Sequence, residues 1–424
     1  MKSLRSLSIY TFVGFFGAGI NFLLMPLLSH YLTPTDYGLL ALINTYVTIL
    51  IPLVSLVAYG YITVEYFHME DQRKFASLFS SVAVIPILPT LVLFVFGYFF
   101  YDYFAGILEL PVDAKWWALS MFPLAAMTVY IDTISSYQVV TRDSKYYAVY
   151  NVLRVLVEVG LTLLFVLHMA MGWKGRLLSW MITSVIFTAA SFFYFYRKKL
   201  LTLEIQWKYV KAGIIFGAPL IFHTLGKFVV NQSDRLFISK MVSLQEAGIY
   251  SVGYTIGTVM LIGASALANI ASPFIMERLK TIDAQQERQI RRFTYMCICG
   301  LILILLIMNI ASPFFFKYFM DIRYLKGYTY VFWVSLGYFF WGVYMLFSFY
   351  IYYYKKTKFL VWLAIINIIT NLAFNYYFIR IYGGIGAAYA TALSFFINLL
   401  LLLFKVFKML PWFRFQLSDF KKII

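Results

Sequence analysis

Charged residues are scarce in this sequence. Asp, Glu, Lys and Arg make up 12% of 424 residues while 62% are apolar, against roughly 25% charged in soluble globular domains. A compact soluble fold of this length has too little interior to hide the apolar surplus. A water-soluble protein is therefore excluded, and a lipid bilayer is the remaining solvent. Cysteine is nearly absent. Cys297 and Cys299 stand two residues apart in an apolar run, so on a helix they diverge, which excludes a disulfide framework and a Cys/His metal site. No GxxxxGK[ST] run occurs, which excludes nucleotide hydrolysis by a phosphate loop. Neither HExxH nor Asp-x-Asp occurs, which removes a zinc-protease signature and a common metal-nucleotide-sugar signature of glycosyltransferases. The chain is expected to be no enzyme and to need no cofactor or metal.

Acidic residues are the scarcer sign, 18 against 35 Lys and Arg, for a net charge of +17. In a chain this apolar the excess reads as membrane topology rather than nucleic-acid binding, because basic residues collect in cytoplasmic loops. The 43 Phe, 35 Tyr and 9 Trp supply rings suited to both bilayer interfaces. Apolar runs of roughly 20 residues, the length that spans a bilayer, begin near Leu7, Leu39, Phe75, Lys115, Tyr146, Leu177, Lys211, Gln245, Phe293, Tyr328, Phe359 and Gly384. The first is long enough to span and lacks a small-residue cleavage site, so it reads as a helix and not as a removable signal. With the N-terminus inside, 24 basic residues fall in inside segments and 9 in outside ones, which predicts that both termini are cytoplasmic.

The sequence is internally duplicated. Ser29 to Leu39 aligns with Ser239 to Ile249 at an offset that also pairs Asn21 with Asn231, and Gly172 to Gly175 resembles Gly383 to Gly386. Each half holds six spans, which predicts an all-α membrane protein of about twelve transmembrane helices in two parallel six-helix lobes, residues 1–205 and 206–424. Parallel repeats of this kind are a recurring transporter plan. Eight of the 11 prolines lie within or at the ends of spans, where they either serve bending or follow the general tolerance of membrane helices for proline. Gly213 with Gly217, and Gly253 with Gly257, predict close helix packing.

Ionisable groups at bilayer depth are functional-site candidates by default. Arg154, Glu158 and Thr162 follow at steps of four in the fifth span and so share one face, either as a self-neutralising Arg–Glu pair or as the wall of a polar cavity. Asn367, Asn371 and Asn375 repeat the stripe in the eleventh span, in the same register when Lys145 is matched to Lys358. This stripe is expected to face a wetted cavity. His223, Lys227 and Asn231 share a face of the seventh span, where Lys227 has no acidic helical neighbour and needs an anion from elsewhere. Asp234 and Arg235 are expected to form an interfacial pair, and Asp132 is a weaker candidate. Arg154, Lys227, Arg235 and the three asparagines are the substrate-binding candidates; Glu158, His223, Asp132 and Asp234 are candidates for ion coupling.

The run Asn21-Phe-Leu-Leu-Met-Pro-Leu-Leu-Ser-His-Tyr-Leu-Thr-Pro-Thr-Asp-Tyr-Gly-Leu-Leu-Ala-Leu42 resembles the opening of bacterial polysaccharide flippases, the Wzx-type O-antigen and capsule transporters. The segments Ser233 to Ser239, Ala247 to Tyr254 and Gly383 to Thr391 are similar to that family too. The resemblance implies membership of the multidrug/oligosaccharidyl-lipid/polysaccharide exporter superfamily, with two lobes around a central cavity. It also implies transfer of undecaprenyl-pyrophosphate-linked oligosaccharide to the outer leaflet of the cytoplasmic membrane, alongside a polysaccharide polymerase and a chain-length regulator. Asp234-Arg235 is the one charged site it carries over. A lipid-linked peptidoglycan precursor flippase, a multidrug/cation antiporter and a polysaccharide polymerase are the alternatives. The antiporter wants an acidic cavity, and the polymerase a large outside loop that this sequence does not show.

Overall fold

In the computed structural model, which describes residues 2–108 and 115–410, the described residues are helical and contain no strand. Twelve helical stretches are long and apolar enough to cross a membrane, as the apolar runs predict, and the chain is a multi-pass membrane protein. In order the helices are α1 (Lys2–Ser29), α2 (Pro34–Ser55), α3 (Tyr59–Glu65), α4 (Gln72–Ala83), α5 (Ile87–Phe99), α6 (Tyr101–Leu108), α7 (Lys115–Leu119), α8 (Met121–Val140) and α9 (Ser144–Thr162). They continue with α10 (Gly172–Arg197), α11 (Trp207–Met241), α12 (Leu244–Gly257), α13 (Val259–Arg278), α14 (Ala284–Phe319), α15 (Tyr328–Tyr353), α16 (Thr357–Tyr382) and α17 (Ile385–Met409).

The chain divides into two compact units, 1–228 and 229–424. The division falls inside α11, later than the expected boundary at 205/206, and hydrogen bonds explain why. A row of serines on α4 staples the 198–206 connection to the first unit: Ser77 Oγ donates to the Glu204 carbonyl at 2.7 Å, Ser80 Oγ to that of Leu200 at 3.0 Å, and the amides of Thr202 and Gln206 donate to Ser80 and Ser81 at 2.8 and 2.9 Å. Around this staple lies an apolar core of Ile62, Leu78, Phe79, Ile134 and Phe195, with the Phe79 and Phe195 rings edge to face at 4.7 Å.

The first half of α11 stays with the first unit through two glycines. The second apolar run breaks after Ser55, where Leu56 and Val57 take positive φ of 46° and 52°, and α11 crosses this break. A methyl group on Gly217 would collide with the Leu56 carbonyl oxygen, and one on Gly213 would lie 3.3 Å from Ile85 and 3.4 Å from Val82. In the second unit Gly253 and Gly257 do the same work, since a methyl on the former would meet the Gly327 carbonyl and Tyr330, and one on the latter Val334.

The duplication reappears in the helix caps. Thr33 Oγ1 accepts from the Asp36 amide at 3.1 Å, the Asp36 carboxylate accepts from the Thr33 amide at 2.9 Å, and Pro34 opens α2, a capping box that satisfies otherwise orphaned donors. In the second unit Ser243 Oγ accepts from the Glu246 amide at 3.1 Å. The Asp36 carboxylate lies 4.0 Å from where Gly172 would carry a side chain, and Glu246 lies 2.7 Å from the same point on Gly384. Each unit thus sets the acid of its second span against a glycine at the start of its sixth.

Gly217→Ala is expected to destabilise the protein by about 1–3 kcal/mol, the usual cost of overpacking, because a backbone oxygen has no rotamer in which to retreat. Gly19→Ala, where the added methyl meets nothing within 4 Å, is expected to leave stability equal or slightly improved. Melting of the two detergent-purified variants against wild type checks the pair.

Candidate functional site

In the first unit a file of polar groups runs across α8, α9 and α10. At one end Asn151 Nδ2 donates to Ser135 Oγ at 3.5 Å and to the Tyr147 carbonyl at 3.0 Å, which fixes α9 against α8. One turn further along, Arg154 lies within electrostatic reach of Asp132 on α8. The Arg154 Nε is buried without a hydrogen-bond partner, whereas Asp132 is exposed. Arg154 stands ten residues, about 15 Å of helix rise, from the start of α9, half the thickness of a hydrocarbon core.

The next turn corrects one expectation. Glu158 does not pair with Arg154; its Oε1 is 2.8 Å from Arg176 Nη1 on α10. The same Nη1 donates to Thr162 Oγ1 at 2.8 Å, and Thr162 donates in turn to the Glu158 carbonyl at 2.7 Å. Arg176 is one of the nine basic residues that the charge pattern places in outside segments. Hairpin geometry is the signal that finds it, because Thr162 and Arg176 lie equally far on either side of Met169. The hairpin is wound tightly: α9 ends in a π-helical turn, Leu163–His168, a feature common near functional sites, and the chain reverses through Ala170 and Gly172 at φ of 51° and 57°.

The second unit holds a further buried Arg–carboxylate pair. Asp234 and Arg235 are 2% and 7% exposed, enclosed by the groups of their own unit. Asp234 Oδ1 accepts from the Arg235 amide at 2.9 Å and from its Nη1 at 3.1 Å, and Oδ2 accepts from the Tyr250 hydroxyl. Arg235 Nη1 also donates to the Asn231 carbonyl at 3.0 Å, and the guanidinium lies 4.4 Å from the centre of the Tyr254 ring. Tyr254 and Tyr338 share a hydrogen bond of 2.5 Å between hydroxyls. The substrate-binding role expected of Arg235 meets a guanidinium already enclosed by its own unit.

The asparagine stripe is a further correction. Asn367, Asn371 and Asn375 are buried, and the middle one bonds to α17. Asn371 Nδ2 donates to Ser394 Oγ at 3.5 Å, Asn375 Nδ2 donates to Asn371 Oδ1 at 3.1 Å, and Asn398 on α17 donates to the Ser394 carbonyl at 3.1 Å. Helix–helix hydrogen bonding of this kind is a frequent use of asparagine in membranes. The Asn367 and Asn375 Oδ1 atoms and Thr391 Oγ1 are buried without a hydrogen-bond partner, the type of oxygen a hard cation takes. His223 is exposed on α11. The side chain of Lys227 lies outside the described residues.

Asp234→Ala leaves the Arg235 charge buried beside neutral groups and is expected to cost about 3–5 kcal/mol, enough to prevent recovery of monodisperse protein. Tyr250→Phe removes one hydrogen bond to a carboxylate, about 1.5–3 kcal/mol, and is expected to fold with a lowered melting temperature. Equal melting of Tyr250→Phe and wild type would remove that hydroxyl from the stabilising network.

Comparison with known proteins bears on the whole fold. The family described as "Polysaccharide biosynthesis protein" matches residues 3–277. A Haemophilus influenzae protein named for the Lsg locus is 24% identical over 291 residues, covering 66% of this chain and 68% of that protein. An uncharacterized membrane protein of the same organism is 23% identical over 289 residues, covering 66% and 67%. Among solved structures the fold is similar to the lipid II flippase MurJ in an inward closed conformation, with a TM-score of 0.72 at 19% identity over 98% of this chain and 89% of that one. It is also similar to an inward-facing multidrug resistance MATE family transporter of the MOP superfamily, with a TM-score of 0.68 at 9% identity over 92% and 93%. The family match runs through well over half of the sequence and agrees with the resemblance carried by Asn21 to Leu42, so this chain belongs to the polysaccharide biosynthesis protein family.

Proposed function

We propose that the protein is a flippase that moves undecaprenyl-pyrophosphate-linked oligosaccharide repeat units from the cytoplasmic to the outer leaflet of the bacterial cytoplasmic membrane. The observation that carries this reading is Arg154, a cation at bilayer depth whose Nε is buried without a hydrogen-bond partner. A charge there costs about 2.5–3.5 kcal/mol on insertion scales and is retained where something repays it. A pyrophosphate does so, because its oxygens match the planar donor fork of arginine. Lys227 supplies a second cation on α11. Family membership points to a glycan cargo, and the absence of an extramembrane platform in the sequence points to movement rather than to synthesis. Both termini are cytoplasmic in this reading, and a polymerase and a chain-length regulator receive the product. Without a phosphate loop, the driving force is an ion gradient, the membrane potential or removal of product, with Asp132 and His223 exposed to couple ions.

A second reading, transfer of a lipid-linked peptidoglycan precursor, is favoured by the likeness to MurJ. It has the same headgroup chemistry and a different cell phenotype.

The leaflet distribution of polyprenyl-pyrophosphate-linked glycan in depleted cells separates these readings. Depletion is expected to strand the glycan on the cytoplasmic face with loss of surface polysaccharide, restored by wild type and not by well-expressed Arg154→Ala or Lys227→Ala. Lysis with intact surface polysaccharide would favour the peptidoglycan precursor. Glycan that reaches the outer leaflet and stays unpolymerised would end the flippase reading.

A further inference from the structure

Two arginines and two carboxylates make up the charged part of the file in the first unit: Asp132, Arg154, Glu158 and Arg176. Their charges cancel, which suits an empty site at bilayer depth, where an uncompensated charge is costly. The same cancellation is a problem for a site that takes a pyrophosphate. A multiply charged anion gains most from direct contact with more than one guanidinium, and in a neutral file a second guanidinium is free to contact it only if a resident carboxylate yields its arginine.

Within the file, Glu158 holds its arginine by a direct ion pair, whereas Asp132 reaches Arg154 only electrostatically. In the second unit the Asp234–Arg235 pair is sealed, with side chains 2% and 8% exposed, and its arginine is also held by a backbone carbonyl and covered by a tyrosine ring. The Glu158–Arg176 pair is open, with both side chains at 21–22% exposure. Arg176 is held there by one nitrogen, Nη1, bonded to Glu158 and Thr162. Thr162 keeps a backbone partner in the Glu158 carbonyl if Arg176 leaves. Glu158 also stands one turn from Arg154 on α9 and belongs to the same face, so an anion seated at Arg154 arrives beside Glu158 and competes for the same guanidinium.

We propose that Glu158 is a resident stand-in for the phosphate and that Arg176 is a second ligand of the lipid-linked pyrophosphate, surrendered by Glu158 when the cargo binds and reclaimed when it leaves. This rests on the reading of Arg154 as a pyrophosphate ligand and extends it to a residue one helix away. It assigns Glu158 a role in release: by competing for Arg176 it keeps the cargo from being held too tightly. No covalent step is involved.

The test is binding of farnesyl pyrophosphate to the full chain in detergent, with farnesyl monophosphate and farnesol as lower-charge controls and transport followed in proteoliposomes. Glu158→Gln preserves shape and a hydrogen bond to Arg176 while removing the competing charge. It is expected to tighten farnesyl pyrophosphate binding about tenfold or more, the scale of one close charge pair in a partly screened site, and to slow transport. Arg176→Ala is expected to weaken binding by a similar factor, with Arg176→Lys between it and wild type; farnesol binding is unaffected by any of them. A Glu158→Gln/Arg176→Ala double variant is expected to bind like Arg176→Ala alone, because the competitor has nothing left to compete for. If Glu158→Gln binds no more tightly than wild type while Arg154→Ala still weakens binding, the exchange is overturned and the cationic site stands. If neither Arg154→Ala nor Arg176→Ala changes binding, the cationic site itself is overturned, and the exchange with it. Equal melting of Glu158→Gln and wild type establishes that the comparison is between folded proteins.

Discussion

The cost of taking a charge out of water governs where this chain places its polar groups. Loops can leave charges to solvent, but a guanidinium on a spanning helix needs a partner, and in a bundle of short hairpins the partner comes from a neighbouring helix or from a ligand. Among the described residues, the Asp234–Arg235 and Glu158–Arg176 pairs answer the constraint in opposite ways. Arg235 is closed in by Asp234, the Asn231 carbonyl and the Tyr254 ring, an enclosed pair whose removal by halves is costly. Arg176 is held across a hairpin by Glu158 and Thr162 with both sides of the pair still accessible. The first is built to stay; the second has somewhere to go.

Backbone geometry sets how near these groups come to one another. The π-helical turn at Leu163–His168 and the reversal through Ala170 and Gly172 join α9 to α10 so closely that residues equidistant from the turn meet across it, which is why Thr162 finds Arg176. At the far side of the same unit, the break at Leu56 and Val57 admits α11 only because Gly217 has no side chain. The serine staple from α4 to the 198–206 connection then makes the first part of α11 a member of the first unit, although the sequence repeat assigns the whole helix to the second half.

The sequence carries the spans and the duplication clearly because both are recorded in long, redundant patterns. Twenty apolar residues are hard to mistake, and the Thr33–Asp36 and Ser243–Glu246 caps repeat with the same hydrogen bond at each helix start. The partner of a given polar side chain is recorded in no such pattern. A step of four residues shows that Arg154 and Glu158 share a face, and it leaves open which helix that face meets; Glu158 turned to α10. Likewise the three asparagines share a face, and α17 supplied Ser394 where a cavity was expected. For Asp234, position near the end of its helix is legible in the sequence, but Tyr250 and Tyr254, which enclose it with Arg235, stand on the next helix.

A common rule underlies those two misreadings. In the register that matches Lys145 with Lys358, Arg154, Glu158 and Thr162 occupy the positions of Asn367, Asn371 and Asn375, and in each unit this stripe meets the sixth span of its own unit. In the second unit the stripe is neutral, packed out of reach of solvent at 0–6% exposure, and meets Ser394 of α17. In the first it is charged, partly open, and meets an arginine. The duplicated scaffold therefore keeps one contact between its fifth and sixth spans and gives it two chemistries. A neutral amide ladder binds two helices with short-range hydrogen bonds and offers an arriving anion no cation. A charged ladder binds the same two helices with a force that an anion can redirect. The asymmetry gives one half of a duplicated chain a contact that phosphate can rearrange, and gives the other half a contact that an anion leaves alone.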